Sequence, residues 1–265
     1  MTQDLLQSQR FERKYLVTEE HARQVRQFIR AYLEPDEHSS ISPDLAYPVH
    51  SLYFDSDQLT TYWATVHCEK SRFKLRLRYY DENPDGPVFF EIKRRVNECV
   101  LKQRGAVHKS AAPLLASGGF PEPQHLPTYN PGALAALRNF DRLRQQISAH
   151  PKVYVAYERE AWVHPETNAV RITLDRHVRG ETVRLIRFST NMTAPCYPFG
   201  GKVVLELKFT NRFPDWFGQL VRHFDLVQCG APKYCGSVAG VGEEWLSAGV
   251  RPHGNAAAAG LRKFF

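Results

Sequence analysis

From Lys70 to Tyr80 the chain reads KSRFKLRLRYY, with Lys70, Arg72, Lys74, Arg76 and Arg78 on every second residue. Ser71, Phe73, Leu75, Leu77 and Tyr79 fill the alternate positions. Successive side chains of a strand point to opposite faces, so a strand here is cationic on one face and mostly apolar on the other. A helix would scatter both kinds of side chain around its axis. Like charges set side by side on a sheet destabilise it. The arrangement therefore needs either solvent, as on an outer face guarding an edge, or a polyanionic ligand whose charge offsets the repulsion.

Other segments repeat the pattern. RFERKYLV (10–17) puts Glu12 and Lys14 on one face. VFFEIKRR (88–95) sets Phe89, Glu91, Lys93 and Arg95 opposite Val88, Phe90 and Ile92. Lys102 and Arg104 share a face at 99–104, as do Tyr157 and Arg159 at 152–162, with Glu158 and Glu160 on the other side. AVRITLD (169–175) aligns Arg171, Thr173 and Asp175, and VVLELKF (203–209) aligns Glu206 and Lys208. The candidate cations are Lys14, Arg72, Lys74, Arg76, Arg78, Lys93, Lys102, Arg104, Arg159 and Arg171; the acids are Glu12, Glu91, Asp175 and Glu206. Many cations with a few carboxylates suit a phosphate site that also holds a divalent ion. Arginine clamps phosphate oxygens in pairs, and carboxylates hold Mg²⁺ or Mn²⁺ against the transferring group. Such chemistry runs on positioning and charge neutralisation and needs no protein nucleophile.

The elements that must position these residues are eight strands of like pattern and a few helices. Thr18 caps an expected helix over 19–33, with Ala22, Val25, Phe28, Ile29, Tyr32 and Leu33 as its apolar stripe. Residues 34–48 read as a loop, 49–55 as a strand, and 56–66 as a turn and short helix. Asn83-Pro84-Asp85-Gly86-Pro87 is a turn. Asn130 followed by Pro131 opens a helix to about 149. Thr182 to Phe188 reads as a further strand, and Pro214 opens a helix to about Asp225. APKYCGSVAGVGEEW (231–245) reads as a loop and a short helix. The architecture expected is α+β: a closed antiparallel eight-stranded β-barrel with its charged faces inside and helices packed outside, since closure leaves no edges and gives the charged faces one common job. The domain spans 1–248, and 249–265 reads as a flexible tail, rich in Gly and Ala.

The composition narrows the partners. The chain has 265 residues, 43% of them hydrophobic, a formal net charge of +7 and a pI near 9.2, which favours anionic ligands. Five cysteines without CxxC spacing argue against a disulfide framework or a zinc site. No GxxxxGK[ST], GxGxxG or HExxH motif occurs, and the 11 histidines are scattered. The N-terminal residues lack an apolar core, and no run approaches the ~20 residues of a membrane span. A cytoplasmic protein is expected.

Eight segments occur in the order of a known family: FERKYLV (11–17), SLYFDS (51–56), RFKLRLRYY (72–80), FFEIKRR (89–95), AYERE (156–160), RITLD (171–175), LELKF (205–209) and PKYCG (232–236). The ordered set resembles the VTC (vacuolar transporter chaperone) domain, the polyphosphate polymerase domain of the CYTH or triphosphate tunnel metalloenzyme superfamily. The resemblance implies a closed, basic tunnel and transfer of the ATP γ-phosphate to a growing polyphosphate chain, with Mn²⁺ or Mg²⁺ as cofactor. By position, Lys14, Arg76, Arg78, Lys93, Lys102, Arg159, Arg171 and Lys233 resemble the phosphate-binding cations. Glu206 resembles the metal ligand, with Glu12 beside it. Arg72, Lys74 and Arg104 join from their face alone. The superfamily's first-strand pattern is ExExK, whereas this strand reads Arg10-x-Glu12-x-Lys14, which speaks against two-metal hydrolysis. Also, the segment after Tyr62 is Trp63-Ala64-Thr65-Val66, without the basic residue the family places there.

Three other functions compete with the polymerase. One is a tripolyphosphate or nucleoside triphosphate hydrolase on the same scaffold. Another is a non-catalytic module that binds polyphosphate or inositol polyphosphates. The last, a nucleic-acid binder, is not expected, because the aromatic platforms that single strands stack on are lacking.

Overall fold

A computed structural model describes residues 10–97, 99–167, 169–183 and 185–247. The strands are β1 (Arg10–Val17), β2 (Glu34–Pro35), β3 (Tyr47–Asp55), β4 (Ser71–Tyr79), β5 (Pro87–Val96), β6 (Cys99–His108), β7 (His150–Val163), β8 (Val170–Thr182) and β9 (Val203–Thr210). The helices are α1 (Glu19–Ile29), α2 (Glu37–Ser40), α3 (Thr60–Val66), α4 (Ala112–Ala116), α5 (Pro131–Gln146), α6 (Asp215–His223), α7 (Lys233–Val241) and α8 (Glu243–Leu246). Polar caps start several of them. Thr18, Asp36 and Asn130 each accept a hydrogen bond from the backbone N–H three residues on.

The α+β class is as expected, but the closed eight-stranded barrel is not confirmed, because hydrogen bonds do not close the sheet. The strands form one nine-stranded antiparallel sheet in the order β1-β9-β8-β7-β3-β4-β5-β6, with the two-residue β2 paired to β7. Its end strands, β1 and β6, are not hydrogen-bonded to each other. A side chain from the neighbouring strand spans the gap: Lys93 on β5 reaches Glu12 on β1 at 3.0 Å. Alternation along one strand fixes which residues share a face, but says nothing about whether the outermost strands pair.

Two further expectations are corrected. Among the described residues of 182–188 the expected strand does not continue, because the chain leaves the sheet after Thr182. The backbone there bonds to a side chain instead: the Tyr154 hydroxyl accepts from Arg187 N, and it lies within hydrogen-bonding distance of the Leu185 and Arg187 carbonyls. Residues 34–48, expected as loop, contain β2 and α2, and β3 begins early at Tyr47. The expected tail at 249–265 lies outside the described residues.

The helices explain the apolar faces. Leu134, Leu137, Phe140 and Leu143 of α5 pack on Leu75, Leu77, Phe90, Ile92 and Val107 of β4–β6. Ala22, Val25 and Ile29 of α1 and Phe217 and Leu220 of α6 pack on Tyr15, Ile172, Leu174, Leu205 and Leu207. A third cluster lies on the opposite face of the sheet. There α3 and α7 pack through Tyr62, Tyr234, Cys235 and Val238 on Val49, Tyr53, Val153, Val155, Tyr157, Val178 and Val204.

That seat depends on a bulge. The β7–β8 register shifts between Ala156 and Glu158, and His177 has φ 49°. The extra residue turns Val178 and Gly180 to the face shared by Asp175. A Cβ on Gly180 would stand 2.4 Å from the Ser237 side chain, so only glycine lets α7 lie this close.

Candidate functional site

The charged alternations converge on the face that also carries α7. The inner cations gather around four buried carboxylates. Glu91, with no side-chain exposure, takes the Arg76 guanidinium (Nε 2.8 Å, Nη2 2.7 Å), the Lys102 ammonium at 2.6 Å and Arg78 at 3.9 Å. Arg76 also donates to the Tyr53 hydroxyl at 2.9 Å, and Arg78 to the Tyr157 hydroxyl at 3.2 Å. Glu12, Asp175 and Glu206 form the second group. Lys14 lies 3.0 Å from Glu12 and 3.4 Å from Glu206. Lys233 lies 2.6 Å from Asp175 and 2.9 Å from Glu206. Arg159 grips Asp175 with two bonds of 2.7 Å, and Lys208 lies 2.6 Å from Glu206.

These neighbours set the protonation states. Burial works against ionised carboxylates, yet the adjacent cations hold Glu12, Glu91, Asp175 and Glu206 all below the usual carboxylate range. Burial pulls Lys102 down to about 7 and Lys208 to about 8, against the pull of Glu91 and Glu206. For Lys14 and Lys233 the carboxylates overcome burial and raise the pKa. Tyr53, also buried, is lowered to about 8 by Arg76, Arg78 and Lys74.

The sequence candidates therefore divide. Lys14, Arg76, Arg78, Lys93, Lys102, Arg159, Lys233, Glu12 and Glu206 come together. Arg171 sits apart on the rim, bonded to Asp36 at 2.5 Å and near the Tyr47 hydroxyl. Arg104 lies over the Phe89 ring, 4.6 Å from its centroid. Lys74 lies on the same face but reaches α7, at 3.4 Å from Cys235 Sγ and over the Tyr234 ring, rather than a carboxylate, and Arg72 bonds to the Glu69 carbonyl. Lys208 was not among the candidates, although it shares the face of Glu206. Tyr53 and Tyr157 also went unselected, since charge alternation does not mark a tyrosine.

The acids nearest to a divalent-ion site are Glu12 and Glu206. Glu12 and Glu206 flank the Lys14 ammonium, so their oxygens converge on one cation position. Among the described residues no group of three or more His, Cys, Asp or Glu side chains converges as a metal site. Two carboxylates completed by substrate oxygens is how Mg²⁺ is commonly held, so the residues fit such an ion. No helix among the described residues is long and apolar enough to cross a membrane.

Three solved structures resemble the fold. A Bacillus halodurans protein provisionally named an adenylate cyclase is 15% identical, with a TM-score of 0.47, covering 85% of this chain and 94% of its own. Protein PH1819 of Pyrococcus horikoshii is 12% identical (TM-score 0.40; 83% and 92% covered). A Vibrio parahaemolyticus protein, also provisionally named an adenylate cyclase, is 12% identical (0.42; 85% and 95%). No curated protein matches the sequence. The VTC domain family matches over residues 9–241, which takes in every strand and the helix that carries Lys233. The chain belongs to the VTC domain family.

Proposed function

We propose that this chain is a metal-dependent phosphotransferase that moves the γ-phosphate of ATP onto a growing polyphosphate chain. The observation that carries the reading is the convergence of eight cations on four buried carboxylates inside a VTC domain. In this reading a terminal oxygen of the acceptor attacks Pγ, the bond from Pγ to the β-phosphate oxygen breaks, and ADP leaves. Arg76 and Arg78 clamp the nucleotide phosphates, with Lys102 and Lys93 beside them. Lys14, Arg159, Lys208 and Lys233 hold the acceptor's phosphates in line. Arg171 guides the polyanion at the rim. Glu206 with Glu12 would hold Mg²⁺ or Mn²⁺, which when bound neutralises charge on the transferring group. The Tyr53 and Tyr157 hydroxyls fix the guanidinium planes of Arg76 and Arg78.

The test is ³¹P NMR of the purified protein with ATP and Mn²⁺, with and without a short polyphosphate primer. A growing signal from internal phosphoanhydrides supports the polymerase. A second reading, hydrolysis of tripolyphosphate or a nucleoside triphosphate, is favoured by α3 and α7, which fill part of the inner face and leave less room for a long product. Orthophosphate as the sole product would select it. ATP left unchanged would leave a polyanion-binding module.

A further inference from the structure

Of the cations that hold the inner carboxylates, Lys102 is the most open to solvent. Its ammonium lies 2.6 Å from Glu91, whose side chain has no exposure, while 43% of the Lys102 side chain is exposed. The lysine is thus the outward cover of a buried acid. Lys93 comes next at 37%, but it is held 3.0 Å from Glu12, the acid placed with Glu206 at the divalent ion. The surroundings of Lys102 disfavour its charged form. Lys93 stands directly across from it on β5, and Arg76 and Arg78 of β4 reach the same Glu91 carboxylate at 2.7 and 3.9 Å. On its own strand Arg104 turns to the Phe89 ring, and across the seam Glu12 and Lys14 of β1 pair with each other. One acid therefore stands against several cations. Burial within the inner face, with Arg76 and Arg78 adding to it, pulls Lys102 down to about 7 against the pull of Glu91. Near neutral pH about half of these side chains are free amines, against about one in a few thousand for an ordinary lysine.

An open amine beside two guanidiniums that suit a phosphate group is placed to attack an acyl phosphate. A lysine crowded by cations is a recognised kind of activated nucleophile, and holding the donor next to it supplies the proximity. We propose that Lys102 is a self-acylation site: a small acyl phosphate, held through its phosphate by Arg76 and Arg78, passes its acyl group to the Lys102 nitrogen. The proposal rests on the phosphate-binding reading of those two arginines. The nitrogen lone pair forms a bond to the carbonyl carbon. The bond from that carbon to the bridging oxygen breaks, and inorganic phosphate leaves with its electron pair and takes up the proton that the nitrogen sheds. The product is a neutral amide. Glu91 keeps Arg76 and Arg78 but loses its third cation, and an incoming polyanion loses one anchoring charge. Acylation would therefore turn down the affinity of the inner face for polyphosphates.

Incubating the whole chain with acetyl phosphate from pH 6 to 9, read by peptide mass spectrometry, tests it. At pH 7 Lys102 should acetylate at least about tenfold faster than Lys202, which is exposed just before β9. Its rate should level off above pH 8, where the amine is already free, while that of Lys202 keeps rising. Tripolyphosphate should slow Lys102 alone. With acetic anhydride, a donor without a phosphate, the preference for Lys102 should shrink. Lys102→Gln, which carries a neutral amide as the acylated side chain does, should bind tripolyphosphate roughly tenfold more weakly in calorimetry. Acetylation of Lys102 no faster than that of Lys202, or fast acetylation that tripolyphosphate does not slow, would overturn the acylation site; tripolyphosphate binding in calorimetry would still uphold the phosphate reading. An unweakened Lys102→Gln would overturn the effect on affinity. A wild-type chain that bound no tripolyphosphate would overturn the phosphate reading and the acylation site together.

Discussion

Glu91→Gln is the most informative single change, because it removes one negative charge from the middle of three cations and keeps the shape. The carboxylate has no exposure, against 14% for Arg76, 8% for Arg78 and 43% for Lys102. Deleting one partner of a buried ion pair costs about 3–5 kcal/mol. Solvent at Lys102 and the 3.9 Å approach of Arg78 put this case at the lower end, near 3 kcal/mol. At about 2–4 °C per kcal/mol for a chain of this size, the melting temperature should fall by about 6–12 °C. Polyanion should then offset part of that loss. In wild type, tripolyphosphate at 100 times its dissociation constant adds about 2.7 kcal/mol. In the variant the same anion also supplies the charge that Glu91 supplied, and it no longer competes with a carboxylate. The gap between the two melting curves should therefore narrow as tripolyphosphate is added. Scanning calorimetry of both proteins over a tripolyphosphate series reads it directly. A gap that stays constant or widens would refute the idea that Glu91 and the ligand share these cations.

Replacing Arg76 and Arg78 together by alanine should abolish ATP turnover, a loss of at least about 100-fold, while far-ultraviolet circular dichroism stays unchanged. Retained turnover would remove them from the site. Glu206→Gln should shift the Mn²⁺ concentration needed for half-maximal activity upward; an unmoved metal titration would discard it as a ligand. Because burial lowers Lys102 to about 7 and Lys208 to about 8, both lose charge as pH rises through that window. A polyanion binds the charged forms, so binding at pH 8 should take up protons, and affinity should fall from pH 7 to 8. Titration calorimetry in buffers of different ionisation enthalpy measures the uptake, and identical heats in all of them would contradict it. Gly180→Val should cost about 1–3 kcal/mol by pushing Ser237 and α7 off their seat; chemical denaturation checks it, and an unchanged midpoint would mean that α7 moves aside freely.

Much of the site was legible because a strand's period of two is rigid. Arg76, Arg78 and Lys93 followed from it, and so did the place of Lys208 on the face of Glu206, although Lys208 was left out of the candidate cations. Lys233 did not follow, since the strand period says nothing about a helix. Residues 231–245 read as a loop and only a short helix because they hold Gly236, Gly240 and Gly242 with Pro232, all poor helix material. The helix α7 forms there nonetheless because Tyr234, Cys235 and Val238 are buried against the sheet, a tertiary gain no local pattern displays. The seat itself was hidden by the bulge at His177, which swaps the two faces of β8 midway and breaks the alternation that identified the rest. The strand expected at 182–188 failed for a related reason. Its apolar Ile186 and Phe188 are half-buried and pack against the outer apolar cluster from a loop.

The four inner carboxylates also act as resident competitors. An incoming anion must displace them from cations they already hold at 2.6–3.4 Å, and each displacement is an exchange rather than a gain. A single phosphate group, able to engage two or three cations, wins little from that exchange. A ligand with several linked phosphates makes the exchanges together and is paid for by the four positive charges that eight cations leave over four acids. On the proposed phosphate-binding reading the interior would sort ligands by valence: orthophosphate and nucleoside monophosphates would be poor competitors, and the threshold would sit in the protein's own side chains.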